Sequence, residues 1–192
     1  MNLLFTEQLN GKPTCFIDKI WLGLGLSGEI NYWSLLEYFH GYKSKFGKSF
    51  DQLKRPLKED YKGKLHTIRE DKNDVWHAGI LIDFILENAD NFRFAPRIPV
   101  ISTQDVFMTK KGNDLEITIA NVGSYIGDDD FYLWFDAKEK LAINDGFDSY
   151  DEFSEYFLLK INENGSKTGN YWYSGKIIHW TDFKYCERSL NQ

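Results

Sequence analysis

Gly63-Lys64-Leu65-His66-Thr67-Ile68-Arg69-Glu70 gathers a lysine, a histidine, a hydroxyl and an arginine into one short stretch, and no other part of the chain carries as much chemistry. A polar run, Asp71-Lys72-Asn73-Asp74, leads on to Trp76-His77-Ala78-Gly79 and an apolar strand, Ile80-Leu81-Ile82-Asp83-Phe84-Ile85-Leu86. Strand alternation puts Thr67 and Arg69 on one face and His66 and Ile68 on the other. Lys64 and Thr67 meet only if Lys64 lies in a loop ahead of the strand or a bulge intervenes, and Gly63 suits such a loop. The stretch reads as a polar site at the mouth of a β scaffold.

Upstream, a short strand around Leu3 to Thr6 and a turn at Asn10-Gly11-Lys12-Pro13-Thr14 precede Cys15 to Leu22, where Phe16, Ile20 and Trp21 repeat at helical spacing. Gly23, Gly25 and Gly28 are expected to break that helix, and Asn31 to His40 reads as a second one fading into a lysine-rich run. Residues 24–61 look like an inserted helical element. Downstream the pattern turns to β. Ile80–Leu86, Pro99–Met108 and Leu115–Asn121 have strand composition, with a hairpin turn at Lys110-Lys111-Gly112-Asn113. Phe131 to Phe135 fits either a strand or the start of a helix. Asp136 can cap a helix over Ala137–Ile143 that Gly146 ends, and Asp148 or Ser149 can cap another over Tyr150–Phe157. A polar loop from Asn162 to Asn170 and a last strand over Lys176–Phe183 complete the pattern. Strands around a small core, with helices between the first and second strands and before the last, predict a compact mixed barrel of the α+β kind. The 192 residues fit a single domain.

Aromatic residues make up 17% of the chain, which suits pleated surfaces and a wide core and supplies rings able to stack on a flat ligand. Cys15 and Cys186 offer no metal spacing, so two free thiols and no metal site are expected. Asp128-Asp129-Asp130 reads as a solvated turn. The start of the chain lacks a basic lead-in, and no apolar run approaches ~18 residues, so the sequence predicts a soluble, cytoplasmic protein without a membrane span. A net charge of −6 argues against sequence-blind binding to duplex nucleic acid. Yet from Lys43 to Lys64 eight basic residues stand against three acidic ones, a balance of +5 beside the proposed site. This run is either a solvated basic loop or an electrostatic guide for an anionic or nucleotide ligand.

Lys64-Leu65-His66-Thr67-Ile68-Arg69-Glu70, with the polar loop, Trp76-His77-Ala78-Gly79 and the strand behind it, resembles the Lys-x-x-Thr-Ile-Arg signature of ASCH domains, members of the PUA-like superfamily. Phe5, the Gly11–Thr14 turn and the Phe16–Trp21 helix resemble the family's opening strand and helix. Leu141 to Phe147 resembles its acidic helical segment, and Ile177 to Phe183 its last strand. The resemblance implies a PUA-like mixed β-barrel with flanking helices. It also implies a ligand of the nucleoside or single-stranded RNA kind, and no cofactor. Small bacterial members include amidohydrolases of N(4)-acetylcytidine that use a lysine, a threonine three residues later and a downstream carboxylate. Lys64 and Thr67 match the first two, and Asp145 stands where the family has a glutamate.

An amide carbonyl resists attack, so hydrolysis needs an activated nucleophile, a base and an acid for the leaving amine. Thr67 as nucleophile, Lys64 as base and Asp145 as acid fill these roles, with Arg69 on the oxyanion or the pyrimidine carbonyl. A lysine serves as base only when burial or a nearby cation lowers its pKa. His66 is the weaker catalytic candidate, and His179 and Trp180 sit on a strand able to line the pocket, where Trp180 can stack on a base. The competing reading makes Thr67 an ordinary strand residue, Lys64 a solvated lysine and Arg69 a partner of Glu70, Asp71 or Asp145. It leaves His40 and His77 at the surface or in packing roles. A non-catalytic module binding RNA or a nucleotide through the same pocket and the basic run is the alternative function.

Overall fold

Residues Gly175 to Thr181 are buried without interruption, the pattern of a strand covered on both faces rather than one. In the computed structural model this strand is the centre of the molecule. Residues 1–26, 30, 32–47, 62–87, 90–121 and 131–185 are described. Their elements run β1 (Asn2–Phe5), β2 (Gln8–Leu9), β3 (Lys12–Pro13), α1 (Phe16–Leu26), α2 (Tyr32–Phe46), β4 (His66–Arg69), β5 (Leu81–Leu86), β6 (Ile98–Pro99), β7 (Ser102–Lys111), β8 (Asp114–Asn121), β9 (Phe131–Tyr132), α3 (Phe135–Asn144), α4 (Tyr150–Thr168) and β10 (Trp172–His179). The fold is mixed α+β.

The strands form a five-stranded antiparallel sheet in the order β4-β10-β7-β8-β9, a three-stranded sheet β1-β5-β6 and the small pair β2-β3. β1 and β5 run parallel. Alternation along β10 feeds two cores. Tyr173 and Ile177 join Val106, Met108, Leu115, Ile117 and Ile119 beneath α3 and α4, whereas Ile178 and, just beyond the strand, Trp180 join Phe5, Phe84, Phe94 and Ile20 on the opposite side. Tyr42 of α2 packs into this second core, its hydroxyl donating to Glu7 Oε1 at 2.6 Å.

At one junction the two larger sheets pass into each other through main chain. Val100 N donates to Ile80 O at 2.7 Å, and one residue on Ile101 N donates to His179 O at 2.8 Å. The opposite junction is different. β1 and β4 are free edges that side chains link, Arg69 Nη2 of β4 donating to Leu4 O of β1 at 2.7 Å. Among the described residues no hydrogen-bonded sheet therefore closes into the expected barrel.

Three helical expectations need correction. α1 runs through Gly23 and Gly25 instead of stopping, because Gly23 is a packing position: a Cβ there would lie 2.3 Å from Lys64 O. α4 continues through most of the anticipated polar loop to Thr168, burying Ile161 and Gly165 on one face and ending at Gly169 with φ of 79°. α3 begins at Phe135, and Asp136 falls inside its first turn rather than at its cap. Ser149 does cap α4, accepting from Glu152 N. Residues 48–61 of the expected insertion, with Lys48, Lys54, Arg55 and Lys58, lie outside the described residues, as do Asp128 to Asp130 and Cys186.

Candidate functional site

The side-chain junction between β1 and β4 holds a cavity of about 390 Å³, within the range of small-molecule sites. Lys64, Thr67, Arg69 and Asp145 all line it, with Phe16 and Phe147 among the apolar walls and Glu87 at its polar side. Four of the residues singled out in the sequence thus meet at one hollow.

Lys64 lies in the segment ahead of β4, as its spacing to Thr67 requires. Close backbone approaches fix it there. A Cβ on Gly63 would meet Gly23 Cα at 2.4 Å, and Lys64 N donates to Lys19 O at 2.8 Å, so this segment is laid directly on α1. Gly146, at φ of 92°, clears the other flank, where a Cβ would meet Lys64 Cδ at 2.9 Å. The residue is 1% exposed, and its ammonium sits 4.9 Å from the Phe16 ring centroid.

Asp145 comes from the C-terminal cap of α3. Its Oδ1 accepts from Lys64 Nζ at 2.8 Å and from the free-edge amide of Ile68 at 3.1 Å. Lys64 Nζ also donates to the Asp145 carbonyl, which places a cation on the helix C-terminus, where the helix dipole favours it. Leu65 N donates to Asn144 O at 2.9 Å, so the end of α3 lies along the free edge of β4. Lys19, also buried, bonds Gly146 O at 2.7 Å and pairs with Asp148.

Burial drives the Lys64 pKa down to about 8, against the pull of Asp145. For Asp145 burial acts upward, but the Lys64 charge and the surrounding donors prevail and hold the carboxyl below its ordinary value. The pair is ionic at neutral pH, and its lysine gives up its proton far more readily than a solvated one. Thr67, 3% exposed, presents a hydroxyl that no hydrogen bond engages among the described residues. Arg69 makes no ion pair with Glu70, Asp71 or Asp145; besides bonding Leu4 O, its guanidinium lies 5.2 Å from the Phe5 ring centroid.

His66, His179 and Trp180, expected at the ligand, do not line the cavity. Each is fully buried. Trp180 packs edge-on against Phe84 at 5.2 Å and Phe5 at 6.3 Å, because the strand before it is central rather than at the cavity edge. His179 Nε2 lies 3.1 Å from Gln104 Oε1. His66 stands behind the carboxylate, with Nδ1 3.6 Å from Asp145 Oδ1 and Nε2 2.8 Å from the Tyr185 hydroxyl. Burial lowers the pKa of both histidines.

Sequence reasoning missed Gln104, Asn144 and Tyr185, which support the site from within the core. Asn144 adjoins Asp145 and was within reach of that reading; Gln104 and Tyr185 carry no local signal. Of the basic run, Lys43 and Lys45 are exposed on the last turn of α2, and Lys62 is exposed beside the site. Among the described residues no group of three or more His, Cys, Asp or Glu side chains could hold a metal ion. Nor does any helix there have the length and apolarity to cross a membrane. No known protein family, curated protein or solved structure matches this chain.

Proposed function

We propose that the chain is an ASCH-type, PUA-like domain whose cavity hydrolyses a small amide of the N(4)-acetylcytidine kind without a metal. One observation carries the reading: a buried lysine with its pKa near 8, ion-paired to Asp145, lines a ligand-sized cavity together with a threonine hydroxyl that no hydrogen bond engages among the described residues. The PUA-like part of the reading rests on the resemblance of the 64–70 stretch, and the separated edges of β1 and β4 supply the cleft that the reaction needs.

In this mechanism Thr67 Oγ1 attacks the acetyl carbon while its proton passes to neutral Lys64 Nζ. Arg69, at the rim, stabilises the oxyanion. The tetrahedral intermediate breaks its carbon–nitrogen bond, the Lys64 ammonium protonates the departing exocyclic nitrogen, and cytidine leaves. Water then attacks the acetyl-threonine ester, Lys64 again taking the proton, and acetate departs as Thr67 is reprotonated. Asp145 is assigned here as the ionised partner that orients Lys64, rather than as the acid expected from sequence, because its carboxyl is held below the ordinary range.

The test is to incubate purified protein with N(4)-acetylcytidine and measure cytidine and acetate. Wild type releases both, and Lys64→Met and Thr67→Val each reduce the rate by ~10²-fold or more. An inactive wild type rejects the reading. The alternative, a module that binds a nucleotide or single-stranded RNA without reaction, draws on the exposed Lys43, Lys45 and Lys62; it predicts salt-sensitive RNA binding by wild type, with no product.

A further inference from the structure

Among the described residues His66 Nδ1 is a fully buried polar atom without a hydrogen-bond partner, and it faces the Asp145 carboxylate, with Oδ1 at 3.6 Å. The other ring nitrogen settles its chemistry. Asn144 Nδ2 donates to the Tyr185 hydroxyl oxygen at 3.1 Å, which leaves the Tyr185 O–H free to donate to His66 Nε2 at 2.8 Å. A neutral imidazole that accepts at Nε2 carries its proton on Nδ1. The opposite tautomer would turn an Nδ1 lone pair toward a carboxylate and leave the tyrosine proton without its acceptor.

Tyr185 is itself clamped. Its amide donates to Gln104 Oε1 at 2.8 Å, and Gln104 Nε2 donates back to its carbonyl at 2.9 Å. The Tyr185 N–H and carbonyl fix which way the Gln104 amide points, and His179 Nε2 lies 3.1 Å from the same Oε1.

We propose that Tyr185 is a positioning residue for the site: its hydroxyl selects the Nδ1–H tautomer of His66, and that N–H dipole helps hold Asp145 ionised opposite Lys64. Seating of Tyr185 in its Gln104 clamp thereby sets the electrostatics of a cavity it does not line. The proposal rests on the assignment of Lys64 as base, but its first readout needs no turnover. Among the described residues the charged and titratable groups bearing on Lys64 include Asp145, Arg69 and Lys19; those bearing on Asp145 include Lys64, His66, Tyr173 and Tyr185; and His66 faces Lys64, His179 and Tyr185 as well. Losing the aligned dipole leaves Asp145 more dependent on the ammonium, so Lys64 keeps its proton to higher pH.

Nitrogen-15 NMR of the imidazoles in the full chain tests this. Wild-type His66 is expected to show a protonated Nδ1 and a bare Nε2, and Tyr185→Phe, which keeps the ring and the clamp, to replace that pattern by a tautomer mixture. The same variant raises the Lys64 titration midpoint, read by side-chain NMR, by roughly half a pH unit or more. A wild-type His66 protonated at Nε2, or a Lys64 midpoint unmoved in Tyr185→Phe, overturns the proposal. The predicted tautomer and shift without amide hydrolysis would leave it standing and overturn the enzymatic reading alone.

Discussion

The two junctions between the sheets make the same connection by different means. At Val100 and Ile101 consecutive main-chain amides stitch one sheet to the other. At β1 and β4 the edges stay apart, and the groups left free are taken up by side chains: Leu4 O by Arg69, Ile68 N by Asp145, and the end of α3 by Lys64. Main-chain closure yields rigidity. Side-chain closure yields a cavity lined by charges held out of water, where their pKa values move.

That contrast breaks if the second junction proves merely structural. The largest expected effect is from Lys64→Met, which strands the Asp145 carboxylate in the interior and costs ~3–5 kcal/mol by denaturant unfolding. The double variant Lys64→Met/Asp145→Leu recovers most of that loss yet stays inactive; activity in the double variant would show that the pair serves folding only. Ile82→Ala, beside the main-chain junction, costs ~2–5 kcal/mol through its cavity and leaves turnover per folded molecule unchanged. Gly23→Ala forces a Cβ against Lys64 O and is expected to cost ~1–3 kcal/mol together with a drop in kcat, since the base shifts with its segment. Arg69→Ala removes one partly exposed hydrogen bond, worth ~0.5–1.5 kcal/mol, and shows mainly as slower hydrolysis.

Stability should follow the sign of the lysine shift. Lys64 has a lower pKa in the fold than its ordinary 10.5, so the unfolded chain binds more protons between about pH 8 and 10.5. Its contribution to stability therefore rises with pH across that window, and Lys64→Met/Asp145→Leu removes this rise in pH-dependent denaturation.

Much of the site was legible because its chemistry is local. Lys64, Thr67 and Arg69 fall within one short stretch, and strand alternation alone put the last two on a common face. Asp145 came from the likeness of the 141–147 segment to a known pattern. Other assignments failed because they depended on which strand is central. His179 and Trp180 read as residues of a strand able to line the pocket, but β10 is flanked by β4 and β7, and burial on both faces of the 175–181 segment withdraws them. Gly23 and Gly63 read as a helix breaker and a loop residue until the chain crossing that brings them together is known. The α4 extension was hidden by polar residues on its solvent face, with only Ile161 and Gly165 turned inward.

The central claim, that the side-chain junction is a hydrolytic site driven by a depressed lysine, is tested most directly by the pH–rate profile of acetate release from N(4)-acetylcytidine. The account predicts a rate that climbs with pH and levels off above a midpoint near about 8, where Lys64 loses its proton. A profile flat across that range, or no release at any pH, would contradict it.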